Sequence, residues 1–186
     1  MHDPEAVLLN GLYGVGKTTV LIELAGRLEA ASARYAALDL DWLAWAWPGE
    51  DEATAELDDH VTVSPLLREH LALVVGNLRR RGNDRFALAG SIASPKELSL
   101  LRATLAMPVR VVRLTAPIEV VRARLGEEGT SERAADADRT DAWAAGASGP
   151  DEVAADLVVD NDRPPAEVAD EILAWTGWIR PEVWDT

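Results

Sequence analysis

One octapeptide constrains this chain more than any other feature. Residues 11–18 read Gly-Leu-Tyr-Gly-Val-Gly-Lys-Thr, which satisfies the pattern G-x-x-x-x-G-K-[ST] with an additional glycine at its centre. The apolar run at 6–9 predicts a short buried strand before it, and the apolar spacing within 18–31 predicts a helix after it. Glycines in such a turn let consecutive N–H groups point into one concavity. The octapeptide therefore predicts a phosphate-binding loop.

The residue types in the octapeptide predict a nucleotide and a metal. Lys17 is placed to contact the β- and γ-phosphates, and the hydroxyl of Thr18 to bind Mg²⁺. The alternative is a glycine-rich turn with an incidental lysine. It is disfavoured because the chain has only two lysines, Lys17 and Lys96. We expect ATP and Mg²⁺ as cofactors, bound by residues of the loop: Gly11, Tyr13, Gly14, Val15, Gly16, Lys17, Thr18 and Thr19.

Short apolar runs alternate with longer amphipathic runs along the rest of the chain. Strands are predicted at 6–9, 35–40, 86–89, 109–114 and 157–159, and helices at 18–31, 66–78, 95–106, 117–125 and from 165 onward. Continuously apolar strands that alternate with helices are typical of a parallel sheet covered on both faces. The predicted fold class is α/β: one three-layer α/β/α domain over residues 1–186, with a five-stranded parallel sheet.

Composition limits the partners. The 186 residues include 32 carboxylates against 18 Lys and Arg, for a net charge of −14, and no cysteine. No basic stripe is available to neutralise nucleic-acid phosphates, so no nucleic-acid partner is expected. Disulfides, thiolate zinc sites and cysteine nucleophiles are excluded. No apolar run approaches the roughly 18 residues of a membrane span, and residues 1–6 do not resemble a signal peptide. We expect a cytoplasmic protein with no membrane partner.

Two carboxylates follow the second predicted strand. Asp39 and Asp41 are two positions apart, so on a strand both would face the same side, at the carboxyl edge where α/β folds bind ligands. One could hold Mg²⁺ and the other could accept the proton of an attacking hydroxyl. The alternative is that an acid here caps the helix that follows. We favour a functional role, with Asp41 ahead of Asp39.

These motifs together resemble the small P-loop kinases of the shikimate kinase, gluconate kinase and adenylate kinase type. Asp39-Leu40-Asp41 resembles the Asp-x-Asp sequence of shikimate and gluconate kinases. In those kinases the first Asp belongs to the magnesium shell, and the second is the base. Residues 41–48 are also similar to chloramphenicol phosphotransferase, in which the base Asp precedes a Pro by the same interval. The resemblance implies that Asp39 and Thr18 bind the metal. It also implies that Asp41 and Lys17 are catalytic.

The resemblance further implies a lid and an adenine loop. Residues 126–150 correspond to the lid, in which Arg133 and Arg139 are candidate catalytic residues, and Arg124, just before it, is a candidate nucleotide contact. Residues 161–164, with Arg163, take the place of the loop that packs against adenine. Gly90 and Ser91 replace the glycines that end the third strand in shikimate kinases, which implies a place beside the substrate. No acidic residue follows residues 86–89, so a Walker B aspartate is absent there.

The acceptor-side segment, residues 42–64, is acidic. Between 48 and 64 it has six carboxylates and no Lys or Arg, which opposes an anionic acceptor unless the segment points into solvent. Arg68 is a possible anion contact. Trp42, next to Asp41, is placed to line the pocket, while Trp45 and Trp47 are favoured as helix-packing residues. We therefore expect a neutral or cationic small-molecule alcohol as acceptor.

The predicted function is that of an ATP-dependent small-molecule kinase, a phosphotransferase that places the γ-phosphate of ATP on an alcohol. An antibiotic or a secondary metabolite is a plausible acceptor. The alternatives are a zeta-toxin-like nucleotide-sugar kinase and a nucleotide-dependent switch that phosphorylates nothing. A switch does not need a base at the position of Asp41, so this residue separates the two classes.

Overall fold

The fold is built on five parallel strands. The computed structural model describes residues 3–44, 63–127, 131–146 and 149–179. The strands are β1 (Glu5–Asn10), β2 (Tyr35–Asp39), β3 (Arg85–Ala89), β4 (Val109–Thr115) and β5 (Leu157–Asp160). They form one sheet in the order β2-β3-β1-β4-β5, with every neighbouring pair parallel. The strands predicted from apolar runs are therefore confirmed, each within one or two residues.

Helices connect the strands and cover the sheet. They are α1 (Lys17–Ala30), α2 (Leu40–Ala44), α3 (Pro65–Arg80), α4 (Pro95–Leu105), α5 (Ile118–Glu127), α6 (Ser131–Ala144) and α7 (Pro165–Thr176). Helices α3 and α4 begin after Ser64 and Ser94, whose hydroxyls accept the N–H groups of Leu67 and Glu97. A proline follows each serine at the start of the helix, where its missing N–H has no intrahelical partner.

Both faces of the sheet bury apolar side chains. Alternate residues of β1 point to opposite faces, so Val7 and Leu9 join one core while Ala6 and Leu8 join the other. Apolar residues of α1, α5 and α7 pack on the first face, and those of α3 and α4 pack on the second. The predicted three-layer α/β/α class is confirmed. Among the described residues, no helix combines the length and the apolar character needed to cross a bilayer.

One local prediction is wrong. Strand β2 ends at Asp39, and Asp41 lies in the short helix α2, so the two carboxylates are not alternate residues of one strand. The strand ends because Asp39 accepts the N–H of Asp41 through Oδ1 at 3.1 Å, which turns the chain into the helix. One helix was not predicted: residues 126–150 have few apolar residues but include the 14-residue helix α6.

Candidate active site

The phosphate-binding loop lies where the sequence predicts it, between β1 and α1. Gly14 and Gly16 have φ values of 77° and 101°, a region of backbone conformation that favours glycine. Gly16 precedes the first residue of α1, so the first N–H groups of the helix lie at the loop. The N-terminus of a helix carries a partial positive charge and unpaired N–H donors, which suit an anion. The loop therefore has the backbone geometry of a phosphate site.

Lys17 is held inside the loop. Lys17 is buried, and its Nζ donates to the carbonyls of Gly11 and Leu12 at 3.2 and 2.9 Å. The same ammonium lies 5.2 Å from the centroid of the Tyr13 ring. A cation over an aromatic face gains electrostatic attraction when both are partly desolvated. These contacts place a point charge at the loop, where the phosphates of a nucleotide would lie.

The two predicted metal ligands, Thr18 and Asp39, contact each other. The hydroxyl of Thr18 donates to Asp39 Oδ2 at 2.7 Å, which brings the start of α1 to the end of β2. A hydroxyl and a carboxylate are hard oxygen donors of the kind that Mg²⁺ accepts together with waters and substrate phosphates. Within the described residues, no group of three or more His, Asp or Glu side chains is arranged to hold a metal. The donor set therefore fits a magnesium ion that is bound partly by the nucleotide.

Asp41 lies among several charges at the edge of this site. The residue is exposed as a whole, but surrounding protein atoms desolvate its carboxyl group, and this is the largest cause that raises its pKa. Lys17 opposes the rise, whereas the carboxylates of Asp39 and Asp136 add to it, and Arg139 opposes it further. A carboxyl group with a raised pKa is a stronger base than an ordinary aspartate, which suits proton abstraction.

Helix α6 reaches the phosphate-binding loop through Tyr13. The rings of Tyr13 and Trp143 are stacked, with centroids 5.4 Å apart and planes 12° apart. The guanidinium of Arg139 lies 5.1 Å from the Tyr13 ring and donates to its hydroxyl at 3.5 Å, and Thr140 Oγ1 donates to the Tyr13 carbonyl. Burial and the charge of Asp41 raise the pKa of Tyr13 to about 12, so its hydroxyl is protonated at neutral pH.

The two remaining lid arginines have different outcomes. Arg124 donates to the carbonyls of Val15 and Asn161, so its guanidinium joins the loop to the end of β5. The backbone of Arg133 belongs to α6, and its side chain lies outside the described residues. The roles assigned to Arg124, Arg133 and Arg139 in phosphoryl transfer stay predictions.

Other predicted contacts lie at varying distances from the loop. Ser91 Oγ donates to the Gly11 carbonyl at 3.0 Å, which places the end of β3 beside the loop. Gly90 packs against Leu40, since a Cβ there would lie 2.9 Å from Leu40 Cδ1. Arg163 instead pairs with Glu171 and donates to the Asp160 carbonyl at 3.1 Å. Thr19 is exposed on α1.

The acceptor side is described only in part. Trp42 is exposed beside Asp41, and Arg68 is half-buried on α3 with its Nε buried and without a hydrogen-bond partner in the described part of the chain. The six carboxylates between 48 and 64, together with Trp45 and Trp47, lie outside the described residues. The prediction that the acceptor is neutral or cationic therefore stays a prediction.

Two polar residues that support the site were missed from the sequence. The side-chain amide of Asn10 donates to the Ile92 carbonyl at 3.1 Å and accepts its N–H at 2.8 Å, which ties the ends of β1 and β3 together. Glu97 is buried and accepts the N–H groups of Ala93 and Val63 at 2.8 and 3.4 Å. The available signal was a polar residue at the end of an apolar strand, and a glutamate three residues after Ser94.

Comparisons with known proteins bear on the fold. No protein-family profile matches the chain, and no curated protein sequence does. Among solved structures, a sugar kinase from Janibacter has a TM-score of 0.61 at 20% identity, covering 98% of each chain. The tunicamycin resistance protein of Deinococcus radiodurans has a TM-score of 0.58 at 19% identity, covering 95% of this chain and 96% of that one.

A third structure is the APS kinase of Mycobacterium tuberculosis, solved with AMPPNP and APS. Its TM-score is 0.62 at 17% identity, and the match covers 95% of this chain and 99% of the kinase. Likeness at this level of identity over nearly the full length shows the fold. The chain has the fold of the small P-loop kinases, as its motifs predicted.

Proposed function

We propose that this protein is an ATP-dependent phosphotransferase that transfers the γ-phosphate of ATP to a hydroxyl group of a small molecule. The observation that carries the proposal is the Thr18–Asp39 hydrogen bond at 2.7 Å, with Asp41 two residues beyond it in the field of Lys17. Phosphoryl transfer to an alcohol requires side chains that bind a metal ion, a lysine that binds phosphate and a carboxyl group that can act as base. The fold shared with a sugar kinase and an APS kinase supports the same reaction class.

Each residue has a definite task in this mechanism. The loop N–H groups and Lys17 bind the phosphates and align the γ-phosphate. Thr18 and Asp39 would hold Mg²⁺, which neutralises the charge that develops on the phosphate oxygens when it is bound. Asp41 accepts the proton of the acceptor hydroxyl, whose oxygen forms the new bond to phosphorus while the bond from phosphorus to the ADP oxygen breaks. Arg139 contributes positive charge from α6.

The acceptor that we propose is a neutral or cationic alcohol. Asp41 lies within the electrostatic influence of a second carboxylate, because the charge of the buried Asp136 raises the pKa of Asp41. An anionic acceptor would meet both carboxylates, as well as the acidic segment between 48 and 64. The shared fold with a tunicamycin resistance protein supports an antibiotic or secondary metabolite as acceptor. A nucleotide-sugar acceptor, as in zeta-toxin-like kinases, is disfavoured by the same charges.

The experiment that tests the reaction class is incubation of the protein with Mg·ATP and a panel of hydroxyl compounds, followed by mass spectrometry. We expect phosphate to be added to a neutral or cationic member of the panel. Phosphorylation of nucleotide sugars alone would favour the zeta-toxin-like alternative. ADP binding without phosphorylated product from any class of alcohol would favour the nucleotide-dependent switch.

Asp41 is the residue whose replacement separates a kinase from a switch. In Asp41→Asn we expect ATP affinity within about twofold of the wild type and product formation reduced by about 100-fold or more, because the general base is lost. Isothermal titration with ATP and a product assay measure the two quantities. Glu119→Gln, the same chemical change at an exposed position of α5, is the control. Transfer at the wild-type rate by Asp41→Asn would show that Asp41 is not the base.

A further inference from the structure

The carbonyl oxygen of Val15 accepts two side-chain hydrogen bonds. Asn161 Nδ2 donates to it at 2.6 Å and Arg124 Nη1 donates to it at 3.1 Å. Val15 and Asn161 are both almost fully buried, with exposed fractions of 1% and 2%. Hydrogen bonds between buried groups are directional and strongly favoured, because water does not compete for the partners. The orientation of this carbonyl is therefore tightly restricted.

The two donors also hold each other. Arg124 Nη2 donates to the backbone carbonyl of Asn161 at 3.0 Å, so one guanidinium spans both residues. The backbone N–H of Asn161 donates to the Thr115 carbonyl at 2.7 Å, which attaches the cluster to the carboxyl end of β4. The phosphate-binding loop is thus anchored to α5 and to the edge of the sheet through Arg124 and Asn161.

The orientation of the Val15 carbonyl decides where the next N–H points. A trans peptide is planar, so the N–H of Gly16 points opposite to the carbonyl of Val15. That carbonyl faces Asn161 and Arg124, and the N–H of Gly16 therefore faces away from them. Gly16 has a φ of 101°, and a Cβ at this position would lie 2.6 Å from Asn161 Nδ2. A glycine has wide backbone freedom, so an external contact is needed to select one orientation of the peptide.

Asn161 contributes a donor at a measurable cost. Its Oδ1 is buried and has no hydrogen-bond partner among the described residues. A buried, unpaired amide oxygen is unfavourable, and an apolar side chain of similar size would avoid the penalty. The feature that an apolar residue could not supply is the N–H donor to Val15.

We propose that Asn161 and Arg124 are positioning residues that orient the Val15–Gly16 peptide, so that the Gly16 N–H is available to a phosphate of the nucleotide. The inference rests on the proposed nucleotide-binding function. It differs from the role that the kinase resemblance implies for this region, in which residues 161–164 pack against adenine and Arg124 contacts the nucleotide directly. Under our proposal both residues act on the phosphates through the loop, and the base is not involved.

Two ligands separate these roles: ADP, and tripolyphosphate, which has phosphates but no base. In Asn161→Ala we expect the Kd of both ligands, measured by isothermal titration with Mg²⁺, to rise by a similar factor of about tenfold, as for one lost hydrogen bond to a charged group. A rise for ADP with no change for tripolyphosphate would assign Asn161 to the base and overturn the proposal. Asn83→Ala is the matched control and should bind like wild type. Asn83 lies in the loop before β3, at the amino ends of the strands and away from the phosphate-binding loop.

Arg124→Lys tests geometry against charge and does not depend on the folding of the first variant. Lysine keeps the positive charge but cannot span the carbonyls of Val15 and Asn161 as the guanidinium does. We expect its Kd for tripolyphosphate to rise by a factor of several, with a melting temperature close to that of wild type. Affinity equal to wild type would overturn the proposal for Arg124, since charge alone would then suffice.

The same titrations distinguish failure of this inference from failure of the proposed function. If wild type binds ADP and tripolyphosphate and both variants bind them equally well, the positioning role is wrong and the kinase proposal stands. If wild type binds neither ligand, the loop is not a phosphate site, and the proposed function fails together with the inference.

Discussion

The phosphate-binding loop is flanked by two regions that hold it in different ways. On the β5 side, Asn161 and Arg124 contact the Val15 carbonyl at 2.6 and 3.1 Å, in buried surroundings. On the α6 side, Trp143 stacks on Tyr13, and the exposed Arg139 makes contacts of 3.5 Å with Tyr13 and 3.8 Å with Asp136. Short buried hydrogen bonds fix a single geometry, whereas a ring stack and exposed charges tolerate displacement.

Under the proposed function, this difference suits different tasks on the two sides. Phosphate oxygens must meet donors at short distances, so rigidity on the β5 side would serve binding and alignment. An acceptor must enter and leave, so weaker contacts on the α6 side suit a segment that closes over the site. The predictions below test whether damage on one side leaves the other intact.

Gly16→Ala is expected to have the largest effect, because it places a Cβ against Asn161 on the rigid β5 side of the loop. A Cβ at φ 101° is strained and would lie 2.6 Å from Asn161 Nδ2, so we expect a loss of about 2 kcal/mol in the free energy of unfolding. For a chain of this size that is on the order of 6 °C in melting temperature, and ADP affinity should fall strongly as well. Calorimetry and titration with ADP measure both effects.

Gly26→Ala is the matched control for this prediction. Gly26 lies inside α1, the helix that Gly16 precedes, and a Cβ there would meet nothing within 4 Å. This variant should be as stable as wild type or more stable by about 0.5 kcal/mol, because alanine is the better helix former. Equal stability of the two alanine variants would contradict the assignment of strain to Gly16.

Thr18→Val tests the predicted metal ligands Thr18 and Asp39. It removes the hydroxyl that donates to Asp39 and that would bind Mg²⁺, while the backbone of the loop is kept. We expect the Mg²⁺ concentration for half-maximal activity to rise about tenfold or more, with stability changed by less than about 1 kcal/mol. Activity assays over a Mg²⁺ series test this. Thr18→Ser keeps the hydroxyl and should restore most of the Mg²⁺ dependence of wild type.

Trp143→Leu removes the ring stack with Tyr13 on the α6 side and should leave the hydrogen bonds on the β5 side unaffected. Loss of an aromatic stack costs about 0.5–1.5 kcal/mol, so hydrogen exchange of residues 131–146 should become several-fold faster. ADP affinity should stay within about twofold of wild type. Trp143→Phe, which keeps a ring for Tyr13 to stack on, is the control. A large loss of ADP affinity in Trp143→Leu would show that the two sides are not independent.

Asp136→Asn is expected to have the smallest effect and concerns pH. The charge of Asp136 raises the pKa of Asp41, so its removal lowers that pKa. Because Asp41 must be deprotonated to act as base, the acid limb of the pH–rate profile should move to lower pH. Asp138→Asn, an exposed position on the same helix, should leave the profile unchanged. A shift to higher pH would contradict the arrangement of charges around Asp41.

Much of the architecture was predictable because it depends on local patterns. Apolar periodicity located the five strands and five of the seven α-helices in the described residues, and the octapeptide located the loop. The prediction for Asp39 and Asp41 used strand alternation and was wrong in geometry, because a side-chain hydrogen bond ended the strand one residue earlier. The alternative, that an acid here caps the following helix, holds for Asp39, which accepts the N–H of Asp41. The roles of Asp39 in metal binding and of Asp41 as base stay predictions.

Helix α6 could not be predicted because its stabilising contact is not local. Its sequence has few apolar residues, and the ring that Trp143 stacks on belongs to Tyr13, more than a hundred residues earlier in the chain. Asn10 with Ile92, and Glu97 with Val63, were missed for the same reason. These side chains form hydrogen bonds with residues far away in the sequence, and such pairs leave no periodic pattern.

By itself, the sequence of this protein determined a strand–loop–helix unit with the phosphate-loop motif, a parallel α/β fold around it, and carboxylates beside it. These follow from residue types at short spacing, since glycine freedom, helix periodicity and strand length act over a few positions. Only the tertiary structure decided that Thr18 meets Asp39, that Tyr13 carries the contact to α6, and that Val15 is held by Asn161 from 146 positions away. The physical reason is that hydrogen bonds and ring contacts depend on distances of a few ångströms, and chain folding sets those distances between residues that sequence patterns leave unrelated.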